Sequence, residues 1–329
     1  MARRAAGRFA VAALGGGHGL FATLSAVRRL TPDVTAVVTV ADDGGSSGRL
    51  RQELDVIPPG DLRMALVALT PDDGDAGMWA QVLQHRFGGV GALAGHPVGN
   101  LLLAGLAEVL GDPVAALDAM VRTFGAQGRV LPMSAVPLEI EAEVSGIEDD
   151  PRLIRRIRGQ VAVATTPGKV RRVRLLPTEP PACAAAVGAI MRADLVVLGP
   201  GSWFSSVIPH VLVPEQLQAL TATDARKVLV LNLAPEPGET AGFSTERHLH
   251  VLSQHAPGLR VDHIVVDAAS VPDGADREQL VRAADRFGAS PTFARVAIPG
   301  THQHDPEALA GVLKDLVGQD VPGQEDGGR

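Results

Sequence analysis

The chain has 329 residues, 46% hydrophobic and 20% charged, with a formal net charge of −7. That length suits one large α/β domain or two smaller ones. The acidic balance, 3% aromatic content and absence of Tyr argue against a surface that tracks a nucleic-acid backbone or stacks bases.

Cys183 stands alone, which excludes an internal disulfide and a cysteine-based zinc site, and predicts a small buried thiol. The opening MARRAAGRFAVAALGGG has a basic end and an apolar run, as a signal peptide does. The run from Phe9 is too short before the glycines, however, and reads as a first strand. No stretch approaches the ~18 apolar residues that a membrane-spanning helix requires. The expectation is a cytoplasmic protein without a membrane span.

In chain order, Phe9 to Leu14 reads as a strand, Leu20 to Leu30 as a helix and Val34 to Val40 as a second strand. The β-branched run of that second strand suits a parallel strand buried on both faces. Asp61 to Leu69 reads as a helix introduced by Pro58-Pro59-Gly60, and Thr70 to Gly77 as a polar connection. Asn100 to Leu110 is an apolar helix. From Arg129 to Leu176 the pattern changes: Val130 to Val144 and Val161 to Leu176 alternate apolar with polar residues, which predicts an antiparallel β insertion over about 129–176. On it, Arg171, Arg172 and Arg174 read as the solvated face of a strand. Asp194 to Leu198, Lys227 to Leu233, Val261 to Val266 and Phe293 to Ile298 then read as short buried strands. Helices around Pro214 to Leu220 and Thr245 to Gln254 separate some of them.

Strands alternating with helices predict an α/β fold, a Rossmann-like doubly wound and mostly parallel sheet carrying the insertion. Residues 9–316 are expected to form a single nucleotide-binding domain, between flexible termini at 1–8 and 317–329.

In such a sheet ligands sit at the carboxyl ends of strands, where the strand order reverses. The unusual residues of this chain fall there. Gly15, Gly16, Gly17, His18 and Gly19 follow the first strand. Asp42, Asp43, Gly44, Gly45, Ser46, Ser47 and Gly48 follow the second. Gly199, Pro200, Gly201 and Ser202 follow DLVVL, and Asn232 closes KVLVLNL. A strand running through glycines into a helix aims backbone N–H groups at one point beside the positive end of the helix dipole, an arrangement suited to phosphate.

Gly17 to Ala22 fits the dinucleotide fingerprint, and Asp42 follows at a distance suited to a ribose hydroxyl, so NAD is one candidate ligand. No Lys follows the glycines, which excludes the P-loop type of site. Asp42 and Asp43 are alternatively a pair for Mg²⁺, which prefers one or two carboxylates plus phosphate oxygens. Ser46 and Ser47 are phosphate donors or caps, and Arg49 or Arg51 could neutralise a diphosphate. Ser46, Ser202 and Ser205 have no His or Lys beside them in sequence to activate them. His302 and His304 lack the carboxylate cluster that a metal site needs.

The blocks GGGHGL at 15–20, VADDGGSSGRLR at 40–51, PPGDLR at 58–63, GHPVGNLLLAGL at 95–106, LGPGSWFSSVIP at 198–209 and NLAPEPGET at 232–240 together resemble the YvcK/CofD family. The resemblance runs in order over about residues 9 to 310 and favours the YvcK branch over the transferase branch. It implies a Rossmann-like fold with a nucleotide across these loops, at Gly15 to Gly19, Asp42 to Arg49, Asp61, Arg63, Asn100, Gly199 to Ser202 and Asn232. The YvcK branch implies a cytoplasmic regulatory factor for gluconeogenic growth, wall-precursor supply and cell shape. Such a factor binds a UDP-sugar of the UDP-N-acetylglucosamine type, has no obligatory cofactor, and is linked to an enzyme of amino-sugar synthesis. The CofD branch implies transfer of a phospholactyl group to a deazaflavin precursor, with Mg²⁺ at paired acids. The chain departs from the family at His18, Met64, Trp203-Phe204, Glu236 and Ala241, and QHDP at 303–306 stands where an Arg is expected. A homo-oligomer is expected, the helices at 61–69 and 100–110 being apolar enough for core or subunit contact.

Overall fold

The computed structural model describes residues 9–148, 150, 152–236 and 238–318. Among the described residues there are ten strands: β1 Val11–Gly15, β2 Val34–Val38, β3 Arg129–Pro132, β4 Glu139–Ser145, β5 Ile154–Arg158, β6 Lys169–Leu176, β7 Leu195–Leu198, β8 Arg226–Val230, β9 His263–Asp267 and β10 Ser290–Ala294. Seven build one sheet in the order β10-β9-β8-β7-β1-β2-β3, and all its pairings are parallel. β4, β5 and β6 form a separate antiparallel sheet, with β4 in the middle. The predicted α/β class with an antiparallel insertion is what the chain adopts.

The parallel sheet is apolar because helices cover both of its faces. β1, β7 and most of β2 and β8 are fully buried. The helix Gly17–Val27 turns Leu20, Thr23, Leu24 and Val27 inward, the spacing of one helical face. The helix Pro59–Leu69 starts on a proline at its first position, where no N–H is needed, and buries Leu62, Ala65, Leu66 and Leu69. The helix Val98–Leu110 ends on Gly111 at φ 65°. Asp112 then caps Pro113–Phe124 by accepting the Val114 N–H at 2.9 Å.

Several expectations are corrected. Arg129–Pro132 belongs to the parallel sheet, paired with β2 at its edge, so the antiparallel strands begin at Glu139. The short run around Val130 and Leu131 alternates too briefly to separate an edge strand from a hairpin arm. Residues 161–164, read as the start of an alternating strand pattern, belong instead to the helical turn Gln160–Ala164. The polar connection after Thr70 gives way at Gly74 to a helix reaching Gln84. The last strand is Ser290–Ala294 rather than 293–298. Val317 and Gly318, assigned to a flexible tail, close the helix Pro306–Gly318; the remaining terminal residues, 1–8 and 319–329, lie outside the described residues.

On β4, Ile140, Ala142 and Val144 face the core, while Glu141 is covered by Arg158 at 2.7 Å and by Arg174. Arg171 and Arg172 are exposed as expected, and Arg174 keeps its partner Glu141. Cys183 is buried and free, at the start of the helix Ala184–Arg192.

Candidate functional site

The strand order reverses between β1 and β7: the chain leaves β1 toward β2 and β3, then returns to β7 on the other side. A cleft at the carboxyl ends of strands flanking such a reversal is where ligands bind in doubly wound sheets. Here the Gly15–Gly19 and Gly199–Ser202 turns face each other across it. They touch closely, since a Cβ on Gly19 would lie 2.1 Å from the Pro200 carbonyl oxygen. The Thr23 hydroxyl donates to the Gly199 carbonyl at 2.8 Å, which fastens the first helix to the β7 turn. Below β1, the buried His210 brings Nε2 to 3.2 Å from the Gly15 carbonyl. Gly17 holds φ at +56°, and Asp61 Oδ1 lies 3.9 Å from its Cβ position, so a side chain there would be strained and would stand beside the Asp61 carboxylate at the turn.

Beside these turns opens a cleft of about 560 Å³, walled by His18, Phe21, Pro200, Asn232, Glu236 and Gln303, among others. Asn232 reaches Gly201 rather than the open space. His302 and His304 border the same cleft, and no group of three His, Cys, Asp or Glu that could hold a metal occurs among the described residues.

The DDGGSSG loop does not line this cleft; Asp61 connects the two. Asp61 is half-buried, and its carboxylate accepts the Gly17 N–H at the start of the first helix. Burial, followed by repulsion from Asp42, raises it to a pKa of about 7. Asp42 is raised as well, chiefly by burial, against hydrogen bonds from the Gly44 N–H and the Ser47 hydroxyl. The Ser47 Oγ in turn accepts the Gly60 N–H at 3.0 Å. Asp42 thus has two acidic neighbours, Asp43 next to it in the loop and Asp61 from the helix Pro59–Leu69. Asp43 turns the other way and accepts the Val161 N–H at 2.9 Å, tying the β insertion to this loop.

Behind the loop lies a buried polar chain. Arg63 Nε donates to Asn100 Oδ1 at 2.9 Å, Asn100 Nδ2 donates to Ser46 Oγ at 3.0 Å, and Ser46 Oγ stands 2.8 Å from His96 Nδ1. Arg63 Nη1 has no hydrogen-bond partner, and burial lowers the guanidinium to a pKa of about 10. Ser46 thus does meet a histidine, contrary to what its sequence neighbours suggested. Both side chains are buried, and neither lines the cleft. Gly45 sits at φ +48° in open space, and Gly48 would press a Cβ to 2.0 Å from the Asp43 carbonyl oxygen. Arg49 Nη2 donates to the Ala94 carbonyl at 2.7 Å and Arg51 to that of Leu138. Both guanidinium groups therefore hold neighbouring backbone.

Two further acids come from the PEPGET segment at 235–240, which sequence reasoning left without a role. Glu239 accepts the Phe204 N–H at 3.0 Å and the Ser205 hydroxyl at 2.7 Å. Burial raises its pKa to about 7. Glu236 accepts from the Ser202 hydroxyl, is raised by burial, and leaves Oε2 without a partner. They brace a π-helical turn, Trp203–Val207, a rare geometry concentrated at functional sites. The cue in the sequence was a pair of carboxylates in a Pro-Gly turn following a strand.

A doubly wound parallel sheet with a glycine-built cleft at its reversal point defines a Rossmann-like α/β protein. The family model for 2-phospho-L-lactate transferase CofD matches residues 11–289. A protein of Mycobacterium tuberculosis named "Putative gluconeogenesis factor" is 69% identical over 315 residues, covering 96% of this chain and 92% of that one. A "Gluconeogenesis factor" of Halalkalibacterium halodurans is 38% identical over 263 residues, covering 80% and 79%. The crystal structure of a UPF0052-family protein from Bacillus halodurans superimposes with a TM-score of 0.83 at 32% identity, covering 94% of this chain and all of that one. This chain belongs to the CofD/UPF0052 family.

Proposed function

We propose that the protein is a cytoplasmic regulatory factor of gluconeogenic growth that binds a nucleotide diphosphate-sugar of the UDP-N-acetylglucosamine type across the β1/β7 turns. The observation that carries this reading is the meeting of the Gly15–Gly19 and Gly199–Ser202 turns beside an open cleft of about 560 Å³. The first helix begins there; Asp61 takes the Gly17 N–H, and the N–H groups of His18 and Gly19 have no acceptor within the helix, as an anion requires. The name shared by the relatives supports the metabolic setting, and the output is control of wall-precursor supply and cell shape through an enzyme of amino-sugar synthesis. NAD fits less well, because Asp42, the acid of the fingerprint, does not line the cleft. Apolar side chains exposed on two neighbouring helices, Trp79, Leu102 and Val109, support self-association.

Calorimetric titration of the full chain with UDP-N-acetylglucosamine tests the reading. A micromolar dissociation constant, about −8 kcal/mol, is expected. Gly17→Val should abolish it, and unchanged binding in that variant would place the ligand elsewhere.

The Asp42–Asp61 pair favours one second reading, a Mg²⁺-dependent transferase of the CofD type. Two half-buried carboxylates, Asp42 acting on Asp61, beside a phosphate-sized turn suit a hard cation, which needs only one or two such ligands plus phosphate oxygens. Bound there, Mg²⁺ would offset charge on a diphosphate. Asp42 and Asp61 would hold it, and the Gly17 turn would orient the phosphate. Metal-dependent turnover with a deazaflavin acceptor, lost in Asp61→Asn, would replace the purely regulatory reading.

A further inference from the structure

A second cavity, of about 810 Å³, shares no lining residue with the cleft. It opens between the helices Thr245–His255 and Ala275–Asp285 and the start of β6. Arg247, His250 and Gln254 reach it from one helix, Arg282 and Arg286 from the other, and Arg171 from the strand. We infer that this groove is a second anion site, built for a small phosphorylated metabolite.

Charge is the first argument. The chain carries a net −7, yet four arginines border this groove against a single carboxylate, Glu246. Glu246 is engaged by the Ser244 hydroxyl at 2.5 Å. Arg282 has a distant partner, Glu278 at 3.7 Å, and both side chains are well exposed, so that pair neutralises little. The Arg286 guanidinium faces an imidazole, His250, at 3.5 Å, and Gln254 Nε2 lies 3.1 Å from the other ring nitrogen.

The second argument is placement. Positions 247, 250 and 254 and positions 279, 282 and 286 each follow helical spacing, so both helices present one polar face to the same space over about 10 Å. Arg171 arrives through a β-bulge. The ladder pairs Arg172 with Glu143 and Val170 with Val144, leaving Arg171 between them, where it donates to Ser145 Oγ at 2.7 Å. Bulges re-aim side chains in this way. Guanidinium groups converging from three elements match the oxygens of phosphoryl groups, which they bind as forks. The cavity is of metabolite size, within about 300–1,000 Å³.

Inorganic pyrophosphate titrated calorimetrically into the full-length chain is the test, with Gly17→Val used to remove any contribution of the cleft. Saturable binding is expected to persist in Gly17→Val, to weaken about tenfold in Gly17→Val carrying either Arg171→Gln or Arg286→Gln, and to fall as salt is raised. Both arginines are exposed, and thermal melts of each variant confirm folding. No saturable binding in Gly17→Val, or binding indifferent to both arginine substitutions, overturns the inference. So does capture of a polyglutamate peptide with pyrophosphate inert, which would make the groove a protein-docking surface. Failure of the cleft reading is distinguishable: Gly17→Val would then bind UDP-N-acetylglucosamine normally, while the arginine series still decides the groove.

Discussion

Asn232 and Gly201 are joined by two hydrogen bonds, the Gly201 N–H donating to Asn232 Oδ1 at 3.0 Å and Asn232 Nδ2 donating to the Gly201 carbonyl at 2.9 Å. A side chain after β8 thereby fixes the backbone of the turn after β7, at a glycine with φ +140°. The amide is engaged in positioning, so its loss should act through the shape of the turn.

Asn232→Ala is accordingly expected to weaken UDP-sugar binding about tenfold or more. Stability should fall by about 1–3 kcal/mol for two bonds of ordinary strength. Calorimetry and urea unfolding of the same variant read the two effects. Full-strength binding would show that Gly201 holds its conformation unaided.

Two glycine substitutions should act with opposite sign. Gly19→Ala places a methyl 2.1 Å from the Pro200 oxygen and should destabilise by about 1–3 kcal/mol. Gly105, inside the helix Val98–Leu110, has nothing within 4 Å of a Cβ, so Gly105→Ala should stabilise by about 0.5–1 kcal/mol. Denaturant midpoints at constant m-value decide both.

The pH dependence of stability should be unmasked by single variants. Glu239, raised from 4.5 to about 7, contributes stability that is full below pH 4.5 and is lost as pH rises through 7. His304, lowered by burial from 6.5 to about 4, contributes stability that is full above pH 6.5 and is lost as pH falls through 4. Between pH 4.5 and 6.5 the two slopes oppose each other. Asp61, also raised to about 7, adds a slope of the same sign as that of Glu239 and is present in both variants. Relative to wild type, Glu239→Gln should therefore shift the slope over that window upward and His304→Leu should shift it downward, each by at most about 1.4 kcal/mol per pH unit. Parallel slopes in both variants would contradict the assignment.

Asp43 and Asp61 should separate in Mg²⁺ titrations. Asp61→Asn is expected to remove any Mg²⁺ dependence of ligand binding, whereas Asp43→Asn should keep it. Asp43→Asn should instead expose the segment around Val161 to limited proteolysis, since it loses the carboxylate that holds the Val161 N–H. A Mg²⁺ effect lost only in Asp43→Asn would restore the adjacent pair as the metal ligands.

Self-association should depend on the helix Val98–Leu110. Val109 is 82% exposed there, beside Leu102 and Leu110. Wild type should sediment as an oligomer and Val109→Asp as a monomer, with no change in the melting temperature of the protomer.

The parallel strands were legible because burial on both faces leaves short β-branched runs such as Val34–Val38, and glycines mark the turns that follow them. Helix starts were read too late: Gly17 and Gly19 open a helix whose apolar face shows only from Leu20. Arg129–Pro132 was misplaced because four residues carry too little pattern to distinguish a parallel edge from an antiparallel arm. At the turns, Gly16, Gly199 and Gly201 were legible from their place directly after apolar strands. Glu239 and His96 were not, because their partners, Ser205 and Ser46, lie 34 and 50 positions away.

By itself the sequence determined the fold class, the family and the positions of the glycine turns, since these depend on local patterns of burial and backbone freedom within a few residues. Only the tertiary structure decided which carboxylates approach each other, that Asp61 joins Asp43 as an acidic neighbour of Asp42, and that arginines from a bulged strand and two helices share a groove. Those pairings arise between segments distant in the chain, and packing alone sets their distance.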